Sequence, residues 1–172
     1  INEPAVIMEK GYVLGVYAPG HRNAAEAPVV ARNLLRAHGY AVRAYRDRGD
    51  GCIGIAVNIQ PKHPASDSPA DRDAAQRANA WRNLQFLDAI VLGRTPDELP
   101  GMFGREWRGL TEDDLKIIHQ PIDFVGVNYY TRKLAADDGR LVSPSPVPPS
   151  RRPASPARPS RSIPMRPVHV LQ

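Results

Sequence analysis

The sequence predicts an α/β fold in which parallel strands alternate with helices, and three observations carry that prediction. Two short, nearly continuous apolar runs, CIGIAVNI (Cys52 to Ile59) and IDFVGVNYY (Ile122 to Tyr130), have the length and β-branched content of strands covered on both faces. Before and between them lie segments whose apolar residues recur every three or four positions, as on one face of a helix. Polar residues gather where strands end: Asn2-Glu3, Asn58 and Asn128-Tyr129-Tyr130. Repeated βα units narrow the fold to an open α/β sheet or a closed barrel, and both place working residues beyond the carboxyl ends of their strands.

The elements follow in order. Asn2-Glu3 reads as a strand end. GYVLGVYAPGHRN, Gly11 to Asn23, has few charges and four Gly or Pro positions, and reads as a partly buried loop. Pro28 to Arg46 reads as a helix with Val30, Ala31, Leu34, Leu35, His38 and Val42 on its apolar side and Arg32, Arg36, Arg43 and Arg46 elsewhere; Gly39 weakens it without ending it. Asp50-Gly51 turns the chain into the first apolar strand, beside which Cys52 is expected to be a small buried residue. Pro61, Pro64 and Pro69 mark a loop, and a second helix runs from about Asp71 to Val91 with Ala74, Ala78, Trp81, Leu84, Gln85 and Asp88 along one side. Residues 93–109 read as irregular around Pro100-Gly101. Thr111 followed by Glu112, Asp113 and Asp114 supplies a hydroxyl cap, acids in the first turn and a carboxylate at the capping-box position, so a short helix starts there and stops before Pro121. The second apolar run, Ile122 to Tyr130, is expected to be buried like the first.

Charge and composition exclude several classes of function. The formal net charge of +5 belongs to the last part of the chain: no Asp or Glu follows Asp138 while six Arg do, leaving 17 basic and 18 acidic residues in 1–138. Those arginines stand among Pro, Ser and Ala without the aromatic residues that stack on bases, which argues against nucleic acid as a partner. A single cysteine rules out an internal disulfide and a cysteine-rich zinc site. The five histidines lack ligand spacing and no Gly-rich phosphate loop follows a strand, so neither a metal nor another cofactor is expected. No apolar run approaches a membrane span and no signal segment is visible, so a cytoplasmic protein with no membrane partner is expected.

Glu3 is the first candidate for chemistry. Its residue type also fits a solvated carboxylate near a chain end; the functional alternative is a general acid that protonates a leaving group. Asn2 beside it can hydrogen-bond a substrate hydroxyl or orient the acid. Tyr129 and Tyr130 are adjacent on a strand, so alternation turns only one ring toward any site.

These same residues carry a resemblance. INEP followed by GYVLGVYAPGHRN resembles the segment around the acid/base glutamate of glycoside hydrolase family 1, the β-glucosidase family, which has Thr-Xaa-Asn-Glu-Pro at the end of barrel strand four and then Gly-Tyr, Gly and Ala-Pro-Gly. ARNLLRAHGYAVRAYR (Ala31 to Arg46), IGIAVNI (Ile53 to Ile59), FLDAIVLGRTP (Phe86 to Pro96) and DFVGVNYYTR (Asp123 to Arg132) follow in the family's order. The resemblance implies that residues 1–140 are an incomplete portion of a (β/α)8 TIM barrel, from the end of strand four to strand six. It implies a retaining β-glycosidase, with a β-glucoside or related oligosaccharide as the small-molecule partner. On it, Glu3 corresponds to the proton donor, Asn2 to a residue that binds the glycone 2-hydroxyl, Asn128 to the subsite rim, and Tyr130 to the tyrosine that orients the nucleophilic glutamate. Asn58 is a weaker candidate and Tyr129 is assigned to packing.

Departures from the family pattern are Ala5 for a large residue, and Ala89 and Thr95, which read as loop changes. The family's His-Trp element and its Glu-Asn-Gly nucleophile motif find no counterpart in the sequence, which is therefore expected to begin within the barrel and to be inactive alone. The alternative is a non-catalytic carbohydrate-binding or structural fragment of a degenerate barrel. Nine of the 18 prolines fall in the last 30 residues, so 141–172 is expected to be a disordered Pro/Arg-rich tail, either a natural linker or an out-of-frame translation.

Overall fold

A computed structural model describes residues 1–137; the expected tail, 141–172, and the division after residue 140 lie outside the described residues. Strand β1 (Gly54–Ile59) pairs in parallel with β3 (Phe124–Tyr129), from Gly54 opposite Phe124 to Ile59 opposite Tyr129. On the other side of β1, Asn2 forms a parallel bridge with Ala56, and the Glu3 N–H donates to the Ala56 carbonyl at 2.8 Å. Three successive strand positions thus lie side by side, parallel and in chain order, with helical crossovers between them, as in a section of a βα-barrel wall. A second parallel pair, β2 (Lys62–Pro64) with β4 (Lys133–Ala135), continues the wall after a short break in each strand.

The break is unequal. Partners in β1 and β3 lie 70 positions apart in the chain, whereas partners in β2 and β4 lie 71 apart. Residues 130–132 therefore contain one more residue than the facing segment 60–61, the signature of a bulge.

Helices cover one face of this wall. Pro4–Val6 (α1) continues into a π-helical segment, Ile7–Val13, so the chain from Gly11 to Val13 is helical and only the rest of Gly11 to Asn23 is loop. That loop is mostly exposed, not partly buried as the low charge suggests. Ala27–Arg46 (α2) follows, burying Ala31, Leu35, His38 and Val42. Pro69–Asn79 (α3) runs on through a π segment Ala80–Leu84, one α turn Gln85–Leu87 (α4) and a second π segment Asp88–Leu92. A π turn carries an extra residue, which widens the buried face. Trp81, Arg82 and Asn83 are consequently buried in succession, and Ala89, read from sequence as a loop change, is fully buried within the helix. Phe86, Met8, Ile55 and Ile90 fill the space between wall and helices, each contributing on the order of 1.5–3 kcal/mol by burial.

Residues 93–109 are not wholly irregular, since Glu98–Phe103 forms α5. Pro100 sits in its first turn, where no backbone donor is needed, and Leu99, Met102 and Phe103 anchor it in the core. The last helix, Glu112–Ile118 (α6), begins with the expected capping box: the Asp114 N–H donates to Thr111 Oγ1 at 3.1 Å and the Thr111 N–H to Asp114 Oδ2 at 3.0 Å. Asp114 is fully buried and also receives Arg32 and Arg36 from α2, tying α6 to α2.

Gly39 marks where those two helices meet. A methyl group placed on it would overlap the Ile117 carbonyl oxygen of α6. The expected result of Gly39→Ala is a net loss of stability, because overpacking costs about 1–3 kcal/mol while the gain in helix propensity is about 1 kcal/mol. A raised urea midpoint would overturn this.

Two further expectations are corrected. Cys52 is exposed, because it precedes the strand and faces no helix. β3 is not buried: Phe124 on one face and Val127 and Tyr129 on the other are each more than half exposed, since among the described residues neither of its faces is fully covered. No helix among the described residues is long and apolar enough to cross a membrane.

Candidate active site

Glu3 sits where the first strand position turns into α1. It adopts the left-handed conformation, φ 47° and ψ 56°, which costs a non-glycine residue about 1–3 kcal/mol. Pro4 explains part of this: a proline disfavours the right-handed helical region for its predecessor, yet is itself preorganised for the first helical position. The Glu3 carbonyl then accepts from the Val6 N–H at 2.9 Å, closing the turn. The half-buried carboxylate is left beyond the strand end.

Two asparagines hold it. Asn58 and Asn128 are register partners near the ends of β1 and β3, so their side chains share a face. Asn128 Nδ2 donates to Glu3 Oε1 at 2.7 Å and Asn58 Nδ2 donates to the same oxygen at 3.3 Å. Among the described residues, Oε2 has no hydrogen-bond partner, leaving one oxygen of the carboxyl group uncommitted for proton exchange.

Behind Asn58 lies Arg82, only 4% exposed. Arg82 Nη2 donates to Asn58 Oδ1 at 3.1 Å, and its Nε lies 3.4 Å from Glu9 Oε2. An arginine only donates, so the Asn58 oxygen must face it and the Asn58 amide must face Glu3. Burial lowers the Arg82 pKa from its usual value, opposed by the charges of Glu9 and Glu3.

The remaining candidates are placed differently. Asn2 is exposed and contributes its backbone to the bridge with Ala56; its side chain makes no hydrogen bond among the described residues. Tyr130 is 75% exposed and lies past the end of β3, in the segment with the extra residue, so strand alternation does not govern it. Tyr129, assigned to packing, is itself 59% exposed. Sequence reasoning missed Arg82 and Glu9. The available signal was a charged residue directly after Trp81, but the π turn that buries Arg82 is invisible to a 3.6-residue period, and Glu9, only partly buried, lies in the separate π segment Ile7–Val13. Among the described residues no group of three or more His, Cys, Asp or Glu is placed to hold a metal ion.

Parallel strands in chain order with helical crossovers make this an α/β protein, in an arrangement that matches part of a βα-barrel wall. The profile of glycosyl hydrolase family 1 matches residues 1–155, and the chain belongs to that family. It is 36% identical over 140 residues to beta-glucosidase A of Acetivibrio thermocellus, covering 80% of this chain and 31% of that protein. It is 37% identical over 155 residues to beta-glucosidase 16 of Arabidopsis thaliana, covering 80% and 30%. Among solved structures, a family 1 β-glucosidase from Thermotoga maritima superposes with a TM-score of 0.74 at 36% identity, over 80% of this chain and 31% of that one. The chain thus spans about a third of the length of these relatives.

Proposed function

We propose that this chain carries the acid/base half of a retaining β-glycosidase site, acting on terminal β-glucosides or related oligosaccharides. The observation that supports it best is the Glu3 carboxyl group itself, strained at a strand end, gripped on one oxygen by Asn128 and Asn58 and free on the other. In this reading Glu3 donates a proton to the glycosidic oxygen while a second carboxylate attacks the anomeric carbon. Glu3 then takes a proton from the water that releases the sugar. Asn2 binds the sugar, Asn128 positions Glu3 at the rim of the subsite, and Tyr130 orients the nucleophile. Retention requires two carboxyl groups about 5–5.5 Å apart, and the second is supplied from outside these 172 residues.

The test has two arms. The 172-residue chain alone is expected to release no aryl alcohol from an aryl β-glucoside. Grafted as residues 1–137 in place of the matching segment of the Thermotoga maritima β-glucosidase, it is expected to restore turnover. A folded graft that binds substrate without turnover would favour a carbohydrate-binding role instead.

A further inference from the structure

On the Arg82 side of Asn58 lies a cavity of about 380 Å³ whose charge the glycosidase reading does not use. Lys10, Lys62, Arg82 and Lys133 line it, and Glu9 is the one acidic residue among its lining. Glu9 is already paired with Arg82, and among the described residues none of the three lysines is in an ion pair. Lys62 donates to a neutral partner, Gln60 Oε1, at 2.6 Å.

The placement of two of these lysines is the decisive feature. Lys62 and Lys133 are register partners in the β2–β4 pair, directly opposite one another, and both face the cavity. Like charges directly opposite across a sheet are destabilising, more so where water is partly excluded. Burial lowers the Lys62 pKa to about 8, opposed by Glu9 and reinforced by the charges of Arg82 and Lys133. A bound anion reverses this imbalance, because it supplies the countercharge that the protein withholds.

We propose that this cavity binds one anionic group of phosphate or carboxylate type, held between Lys62 and Lys133 with Arg82 behind them. Its wall is shared with the glycosidase site through Asn58 and Tyr130, so an acidic substituent on a glycoside can occupy it while the sugar lies at Glu3. That second statement rests on the glycosidase reading, whereas anion binding itself does not.

The full chain tests it by amine labelling, with modification of each of its four lysines read by mass spectrometry at constant ionic strength. Inorganic phosphate replacing chloride is expected to slow labelling of Lys62 and Lys133 severalfold while leaving Lys116, exposed and outside the cavity, unchanged. Lys133→Gln is expected to abolish the protection of Lys62. Comparing 4-carboxyphenyl β-glucoside with phenyl β-glucoside separates the sources. Protection by the acidic glycoside at lower concentration than phosphate places the anion on a substrate; protection by phosphate alone places it on a free ion. Equal labelling of Lys62 with and without both anions overturns the proposal, and so does equal protection by the neutral glycoside. Neither outcome depends on whether the grafted barrel turns over.

Discussion

Glu3→Gln in the grafted barrel is expected to lower kcat/KM by about 10²–10⁴-fold for a glucoside with an alkyl leaving group. The same variant should lose less with a nitrophenyl leaving group, because a phenolate departs without protonation and the first step no longer needs the acid. The amide keeps the shape of the side chain and its acceptor oxygen for Asn128 and Asn58, so the loss reports the proton and not the fold. Steady-state kinetics on the two substrates reads the difference. Equal rates for Glu3→Gln and the parent graft on the alkyl glucoside would sink the acid/base assignment. Arg82→Met separates positioning from chemistry: it frees Asn58 to rotate, and is expected to shift the pH profile of kcat/KM while sparing the contrast between leaving groups.

Asp114→Ala is expected to destabilise the fold by about 3 kcal/mol. The figure is at the low end for a buried ion pair because Arg32 and Arg36 are about a third exposed and can rehydrate. Burial alone would raise the Asp114 pKa. The Thr111 amide and hydroxyl with Arg36 and Arg32 outweigh it and hold the carboxyl well below the usual 3.8. A depressed folded pKa means stability that is complete above 3.8 and lost as the pH falls below it. His38 acts earlier. Its burial, with a smaller contribution from the chain's amino terminus, lowers it from 6.5 to about 4. Its Nε2 has no partner among the described residues. The unfolded chain therefore takes up a proton that the fold refuses, and stability declines as the pH falls from 6.5 to 4. Urea midpoints against pH are expected to show both declines in the parent and only the His38 decline in Asp114→Ala. A variant that retained the decline below 3.8 would refute the assignment to Asp114.

Much of the fold was legible because its signals are local. The α2 face, the Thr111 cap and both apolar strands each depend on residues within one or two turns of one another, and all appear near their expected bounds. The misses share a physical cause. α5 was hidden by Pro100-Gly101, which resembles a turn until tertiary burial of Leu99 and Phe103 overrides it. The exposure of β3 reflects what stands beside it, which no run of apolar residues encodes. At the site, Glu3 was visible from its motif, whereas Asn58 and Arg82 matter only because register and a π turn bring them together. Tyr130 was judged by strand alternation, and it lies where alternation has stopped.

The single extra residue in 130–132 has an evolutionary consequence. It uncouples the rim of the wall from its base: β1 and β3 fix the asparagines on Glu3 by one register, while β2 and β4 present Lys62 and Lys133 by another. A lineage that gained or lost one residue there would rotate the rim side chains by half a strand period and leave the carboxylate's grip untouched. The rim can then be remodelled by a one-residue insertion or deletion without disturbing the contacts of Asn58 and Asn128 with Glu3.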